Sequence, residues 1–296
     1  MNSHPSVAVI IPAYDSFLTI ERSLDSFCSQ TYPGYEIIVV DSSPNDHVEK
    51  IVKKKFPGIT YIHSEKRLLP HAARNQGARR TAADLFVFTD PDIYAPPDWL
   101  ENIVAAHRQY GGVIVGSLTN HTDQWRDWGI HLMKFDLFLP DAEVRPLAFA
   151  ATANMLCARR DFELMGGFEN DEMLGDLLLS WKFSENQIPI FLVPSARVAH
   201  HHTQSVFEFL RERYRRGKDF GRLRHDRFHW TRLHTIRHIV LSVSGLRLIG
   251  LLVREGRHSL NAGLFIKFLH TSPVSLMGQA CWLLGETAAF IRSLSS

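Results

Sequence analysis

A mostly parallel α/β sheet with helices on both faces, followed by an apolar helical C-terminal region, is the fold class this sequence predicts. Three observations carry it. Strand-like and helix-like segments alternate up to about Tyr110, which implies parallel strands covered on both sides. The apolar run Leu85–Thr89 stops at Asp90-Pro91-Asp92, as a buried strand does where it leaves a sheet. From about Thr203 the composition turns basic, then strongly apolar.

Taken in order, Val7–Ile11 is a β-branched run closed by Pro12, and Phe17–Gln30 has helical spacing through Leu18, Leu24 and Phe27. Glu36–Val40 is the next strand and ends at Asp41; His47–Phe56 reads as helix, Thr60–His63 as strand and His71–Ala83 as helix. Leu85–Thr89 follows, then a helix from about Pro97 to Tyr110. Ligands of such sheets bind beyond the carboxyl ends of the strands. Pro12–Asp15, Asp41–Asp46 and Asp90–Asp92 all fall there, so three polar clusters converge on one rim. The middle is less regular, with strands at Val113–Gly116, Asn154–Ala158 and Ile190–Val193. Helices are expected at Arg160–Met165, stopped by Gly166-Gly167, and at Gly175–Phe183.

Pro91 pushes Asp90 into an extended conformation, and in an extended chain residues two apart face the same way. Asp90 and Asp92 thus offer oxygen donors suited to a hard divalent cation bridging a phosphate. Asp and Pro are also ordinary turn residues, so this segment alone leaves a solvated turn open.

The formal net charge of +2 is unevenly placed. Arg211–Arg237 holds ten Arg or Lys against three acids, a net of +7, so the remainder sums to −5. That asymmetry suggests an anionic partner such as a membrane surface or phosphates; no nucleic-acid partner is expected. Cys28, Cys157 and Cys281 have no metal-ligand spacing and read as reduced, buried thiols of a cytosolic protein. The N-terminus lacks the basic and apolar regions of a signal peptide. Leu233–Val253 and Val274–Ile291 are apolar but carry Arg237, His238, Arg247, Gln279 and Glu286. A charge at mid-bilayer costs roughly 2.5–3.5 kcal/mol on insertion scales. Arg237, Ser244, Arg247 and Arg254 recur at helical offsets, a narrow polar stripe on a wide apolar face. This suits an in-plane or shallowly inserted helix on the cytoplasmic face of a membrane. The expected division is residues 1–203, a basic helical segment 204–232 and an apolar tail 233–296.

Five segments in order resemble the family 2 glycosyltransferases, which have the GT-A fold, over about Val7 to Arg224. VIIPAYD (Val9–Asp15) looks like the opening strand and loop, with Asp15 where Asn is more usual. EIIVVDSSPND (Glu36–Asp46) is similar to the second strand with its acidic nucleoside-binding end. ARNQGAR (Ala73–Arg79) looks like the helix start near the donor phosphates, FTDPDIYAPPDWL (Phe88–Leu100) like the Asp-x-Asp segment, and NMLCARRDFELMGGF (Asn154–Phe168) like the acceptor-side strand and turn.

The resemblance implies a metal-dependent, inverting transfer of a sugar from a UDP- or dTDP-sugar to a hydroxyl acceptor, with Mg²⁺ or Mn²⁺ as cofactor. It places Asp41 on the nucleobase, Pro12, Tyr14 and Asp15 around the base and ribose, Asp90 at ribose and metal, and Asp92 on the metal. Arg74 would reach the diphosphate, for which Arg has matching geometry. The family takes its general base from a Glu-Asp pair after a Gly-Gly-Phe turn. In GGFENDEMLGDLLLSW that position is Asp176, while the preceding Glu is replaced by Gly175. Flanking leucines would push the Asp176 carboxyl upward; an N-cap role is compatible with this, and Glu172 is the second candidate. His200 matches an additional metal ligand; in the triplet His200–His202, only His200 and His202 share a face on a strand. The C-terminal pattern looks like that of membrane-associated members and points to a lipid-linked or cell-envelope acceptor. Two rivals stand beside this reading. A sugar-phosphate nucleotidyltransferase would need a Gly-rich basic loop after the first strand, where this chain has PAYDSF. A catalytically degenerate nucleotide- or lipid-binding scaffold is suggested by Gly175.

Overall fold

The computed structural model describes residues 4–140 and 143–295, and the chain divides into two compact units. The first runs up to His121 and resumes from Pro140 to His201; the second takes Thr122–Leu139 and the chain from His202 onward. In this division Thr122–Leu139 groups with the chain from His202 onward.

The first unit opens with β1 (Val7–Ala13), α1 (Ile20–Cys28), β2 (Tyr35–Asp41), α2 (His47–Lys55), β3 (Thr60–His63) and α3 (Pro70–Ala78). It continues through β4 (Leu85–Thr89), β5 (Ile93–Tyr94), α4 (Trp99–Tyr110) and β6 (Val113–Asn120). After α5, which lies in the second unit, come β7 (Arg145–Leu147), β8 (Asn154–Ala158), α6 (Arg159–Leu164), α7 (Gly175–Glu185) and β9 (Ile190–His200). The strand order is β3-β2-β1-β4-β8-β6-β9-β5, with β7 also on β9. β3, β2, β1 and β4 are mutually parallel, and so are β6 and β9. β8 runs antiparallel between β4 and β6.

Every residue of β1 is buried, which is why its run shows no polar alternation: a central parallel strand is covered on both faces. α1 turns Ile20, Leu24 and Phe27 inward at helical spacing. It is shorter than expected, because residues 16–19 form a turn and leave Phe17 and Leu18 exposed. α3 starts with Pro70 in its first turn, where a missing N–H is harmless. It lies close on β1: a Cβ on Gly77 would come within 2.6 Å of Ile10. Of the cysteines, Cys157 is buried but Cys28 is exposed and Cys281 only half-buried, so burial does not explain all three.

The second unit consists of α5 (Trp125–Phe135), α8 (Val206–Arg227), α9 (Arg232–Val243), α10 (Leu246–Asn261) and α11 (Phe265–Ser295). α8 begins at a capping box in which Ser205 and Glu208 satisfy each other's backbone N–H. Ile130, Met133, Phe209 and Val274 form one core cluster. α11 crosses close enough that a Cβ on Gly278 would stand 2.8 Å from the Phe209 ring.

The stretch Leu233–Val253, expected as one apolar helix, is two. Gly245 takes φ +80° between α9 and α10, and the pair bends by 69°. Part of the polar stripe faces inward. Arg247 reaches Glu286 Oε2 at 2.6 Å and Arg224 reaches Oε1 at 2.9 Å, so the fully buried Glu286 is held between two guanidinium groups, as a charge out of water requires. Arg254 and His258 both meet Asp136, at 2.8 and 3.1 Å. Outward, Leu233, Ile236, Val240, Val243, Leu246, Ile249 and Val253 are exposed, Leu233 and Val243 by 79% and 77%. This is the reverse of a soluble helix, whose apolar stripe faces the core. α11 is also long and apolar enough to cross a membrane by length and composition, with 44% of that window buried.

Candidate active site

The acidic segment after β4 is brought to β9 by backbone pairing. β5 runs antiparallel to the end of β9 with Ile93 opposite His200, and the His201 N–H donates to the Asp92 carbonyl at 2.9 Å. As a result Asp90, Asp92 and His200 offer ligand atoms that all lie within 4.8 Å of one another, and His200 Nε2 stands 3.7 Å from Asp92 Oδ2. Two carboxylates and an imidazole form a mixed hard and borderline donor set suited to Mg²⁺ or Mn²⁺. His202, expected to face the same way as His200, falls in the second unit, where its Nε2 lies 3.2 Å from His131 Nδ1.

Arg74, on α3, is 2% exposed and its guanidinium contacts Asp90. A second nitrogen, Nη1, lies 3.4 Å from His71 Nδ1, and its Nε has no hydrogen-bond partner among the described residues. A buried cationic fork with donor capacity to spare, beside two carboxylates, fits a phosphate oxygen.

Along the rim, Asp41 ends β2 with its side chain fully buried. Ser43 donates to Oδ1 from its backbone N–H at 2.9 Å and its hydroxyl at 2.6 Å, and the Tyr61 hydroxyl donates to Oδ2 at 2.7 Å. Burial and the hydrogen bond to Asp41 hold the Tyr61 hydroxyl well above the usual phenol range. Pro12 is buried opposite Val40, and Tyr14 is exposed with Arg67 stacked over its ring at 4.2 Å. Asp15 has φ +52°, a region that Asn and Asp tolerate better than most residues. Its N–H donates to Ser43 Oγ at 2.9 Å, and Asn45 donates to its carboxylate at 3.1 Å.

Asp176 lies one residue inside α7 rather than at its cap, which is Leu174. Its Oδ1 accepts from the Leu177 N–H at 2.9 Å, a position where the helix dipole favours a carboxylate. Glu172 falls in the segment just before α7. His71 Nε2 stands 3.9 Å from Asp176 Oδ1. Asp176, His71, Arg74, Asp90, Asp92 and His200 thus follow one another across the site.

Three contributors escaped sequence reasoning. Asn75 donates to the Phe168 carbonyl at 2.7 Å and accepts from its N–H at 3.0 Å; it ties α3 to the Gly-Gly-Phe turn that leads to α7. Arg67 and His71 are the others. For His71 the one available signal was its spacing of three from Arg74, which puts both on one helix face.

Comparison with known proteins gives a consistent result. The family model described as Glycosyl transferase family 2 matches residues 8–165. The glycosyltransferase AglE of Haloferax volcanii is 27% identical over 179 residues, 58% of either chain. The validoxylamine A glucosyltransferase of Streptomyces hygroscopicus subsp. jinggangensis is 31% identical over 108 residues, 35% of this chain and 26% of that one. The chain thus spans less than two thirds of these curated relatives. Among solved structures, a mannosyltransferase of Pyrobaculum calidifontis in complex with GDP-Man and Mn²⁺ aligns with 99% of this chain and 88% of its own, at TM-score 0.65 and 17% identity. A GalNAc-T7 crystal structure with UDP, GalNAc and Mn²⁺ aligns with 68% of this chain and 45% of its own, at TM-score 0.56 and 17% identity. These likenesses are of the GT-A fold.

Proposed function

Because this chain belongs to glycosyl transferase family 2, we propose that it is a divalent-cation-dependent, inverting hexosyltransferase acting on a nucleoside-diphosphate sugar. The observation that carries the reading is the succession of side chains from Asp176 through His71 and Arg74 to the Asp90, Asp92 and His200 cluster. It sets one carboxylate apart from the metal-ligand group, as separate base and leaving-group functions require.

In this reading Asp90, Asp92 and His200 would hold Mg²⁺ or Mn²⁺, which would supply a Lewis acid for the charge developing on the diphosphate. Arg74 binds a diphosphate oxygen and Asp41 faces the nucleobase, with Pro12, Tyr14 and Asp15 around the base and ribose. Asp176 accepts the proton of the acceptor hydroxyl as that oxygen bonds to the anomeric carbon. The bond from that carbon to the diphosphate oxygen breaks, its electron pair leaving with the nucleoside diphosphate. The donor is a UDP- or dTDP-sugar.

The acceptor is a lipid-linked or cell-envelope glycan, and the protein works at the cytoplasmic face of a membrane. The exposed apolar side of α9 and α10 supports this: Arg247 and Arg254 are held by Glu286 and Asp136, while Arg237 and Arg257 stay exposed beside apolar residues, a mixed surface suited to anionic lipid. We further take residues 1–203 as the catalytic region, 204–232 as the basic segment and 233–296 as the membrane-associating tail, with Thr122–Leu139 assigned to the helical unit.

A thermal-shift panel of UDP, dTDP, GDP and CMP with Mn²⁺, Mg²⁺ or EDTA tests the donor site. At about 100 times its Kd a ligand stabilises the fold by roughly 2.7 kcal/mol. Stabilisation by one diphosphate that EDTA removes is the expected result; a folded protein indifferent to all of them refutes the reading. Asp176→Asn retains this shift, while transfer measured separately falls by roughly 10²–10⁴-fold, the usual worth of a general base.

A further inference from the structure

Gly175 stands where family members carry a carboxylate, and the structure has filled its place. The His71 ring lies directly over Gly175: a Cβ there would stand 2.7 Å from His71 Cδ2 and 2.8 Å from Cγ. The ring also packs on Phe168, with centroids 4.9 Å apart. His71, in the first turn of α3, is 3% exposed, and its ring lies against the first residue of α7.

Its protonation follows from its neighbours. Arg74 Nη1, 3.4 Å from His71 Nδ1, can only donate. Nδ1 is therefore the acceptor, and in the neutral ring the proton sits on Nε2. Nε2 is the atom that faces Asp176 Oδ1, at 3.9 Å. That separation exceeds a hydrogen bond by about 1 Å; catalytic hydrogen bonds are often long in the free enzyme and tighten in the reactive complex.

We propose that His71 is a positioning residue for Asp176: its Nε2–H orients the carboxylate and stabilises its ionised form, and the missing side chain at Gly175 makes room for it. This rests on the reading of Asp176 as general base. It also turns the departure at Gly175 from a sign of lost activity into one half of a substitution, with an imidazole in place of a carboxylate beside the base. Because Arg74 touches both His71 and Asp90, the same ring couples the base to the donor side.

Conservative variants separate this from a packing role. The amide of Asn can occupy the Nδ1 position and that of Gln the Nε2 position. His71→Asn keeps the acceptor for Arg74 but loses the donor to Asp176; His71→Gln keeps that donor. The assay is hydrolysis of the nucleoside-diphosphate sugar whose diphosphate stabilises the full chain most, with water as acceptor. His71→Asn should lose kcat by roughly ten- to a hundredfold, the worth of one hydrogen bond to a charged group, with donor KM little changed. The acid limb of its kcat profile should move to higher pH, and His71→Gln should recover most of the rate. Gly175→Ala, which displaces the ring, should reproduce the loss and add nothing to His71→Asn. If His71→Asn does not fold, Gly175→Ala alone decides. Unchanged kcat and acid limb in these variants overturn the proposal.

A readout without turnover keeps the two readings apart. In ¹⁵N-histidine spectra of the full chain, His71 should carry its proton on Nε2. In ¹³C spectra the Asp176 carboxyl should titrate roughly one pH unit higher in His71→Asn than in the parent. A proton on Nδ1, or an Asp176 midpoint that does not move, overturns the pairing even in a chain that transfers no sugar. A wild-type chain with the expected spectra and no activity instead refutes the enzyme reading alone.

Discussion

The Tyr61 hydroxyl donates to Asp41 Oδ2 across 2.7 Å, joining the adjacent ends of β2 and β3. With two donors from Ser43 on the other oxygen, a fully buried carboxylate is satisfied on both sides. Such a group is costly to leave unpaired. Tyr61→Phe should lower unfolding free energy by about 1.5–3 kcal/mol, the range for hydrogen bonds to charged groups, and denaturant melts measure it. An unaltered midpoint would mean that the two Ser43 donors suffice.

The cation site gives a second test. Asp92→Ala should abolish the Mn²⁺-dependent part of nucleotide stabilisation, and His200→Ala should reduce it, because each removes one member of a three-ligand cluster. Calorimetric titration of Mn²⁺ in the presence of the nucleoside diphosphate reads both. Equal Mn²⁺ affinity in Asp92→Ala would remove that residue from the ligand set.

Glu255 predicts a pH dependence for the helical unit. Burial pushes its carboxyl up to about 7, although Ser275 and Gln279 donate to it. Its folded value therefore lies above its unfolded one, so the native state binds the extra proton. The associated stability is complete below about pH 4.5 and is lost as pH rises to about 7, a change of about 3 kcal/mol at 1.36 kcal/mol per unit. Glu255→Gln should flatten this part of the stability profile in urea melts between pH 5 and 8. A parent profile without that fall would contradict the burial argument.

The outward face of α9 and α10 predicts vesicle binding. Burying a Val or Leu side chain contributes about 1.5–3 kcal/mol. The triple variant Leu233→Ser, Val240→Ser and Val243→Ser should therefore partition onto anionic vesicles at least a hundredfold more weakly. Sedimentation with phosphatidylglycerol vesicles reads the loss, and salt should weaken the parent through the basic segment. Sedimentation that the substitutions leave unchanged would show that this face does not meet lipid.

How far the sequence was legible depends on the range of the interaction. β1, β2 and β4 could be read because unbroken β-branched or apolar runs have few alternatives to a doubly covered strand. The ends of β2 and β4 could be read because Asp41 and Asp90 close those runs; Pro12, expected to close β1, instead lies inside it, paired with Val40, and the strand runs on to Ala13. The helix α5 could not: its burial comes from Phe209 and Val274, far along the chain. The break at Gly245 was hidden within a stretch whose hydropathy is uniform. Arg247 and Arg254 were legible as a stripe, but the direction in which it faces depends on Glu286 and Asp136.

By itself the sequence determined the alternation of strands and helices, the family, and the acidic positions at the strand ends. Those features follow from periodicity and turn chemistry within a dozen neighbouring residues. The resemblance placed His200 and Asp92 at one metal; the tertiary structure decided how they meet, through the antiparallel register of β5 on β9. It alone placed the His71 ring against Gly175, where it occupies the space a Cβ would need. Contacts of that kind are set by the packing of distant segments, and no local pattern records them.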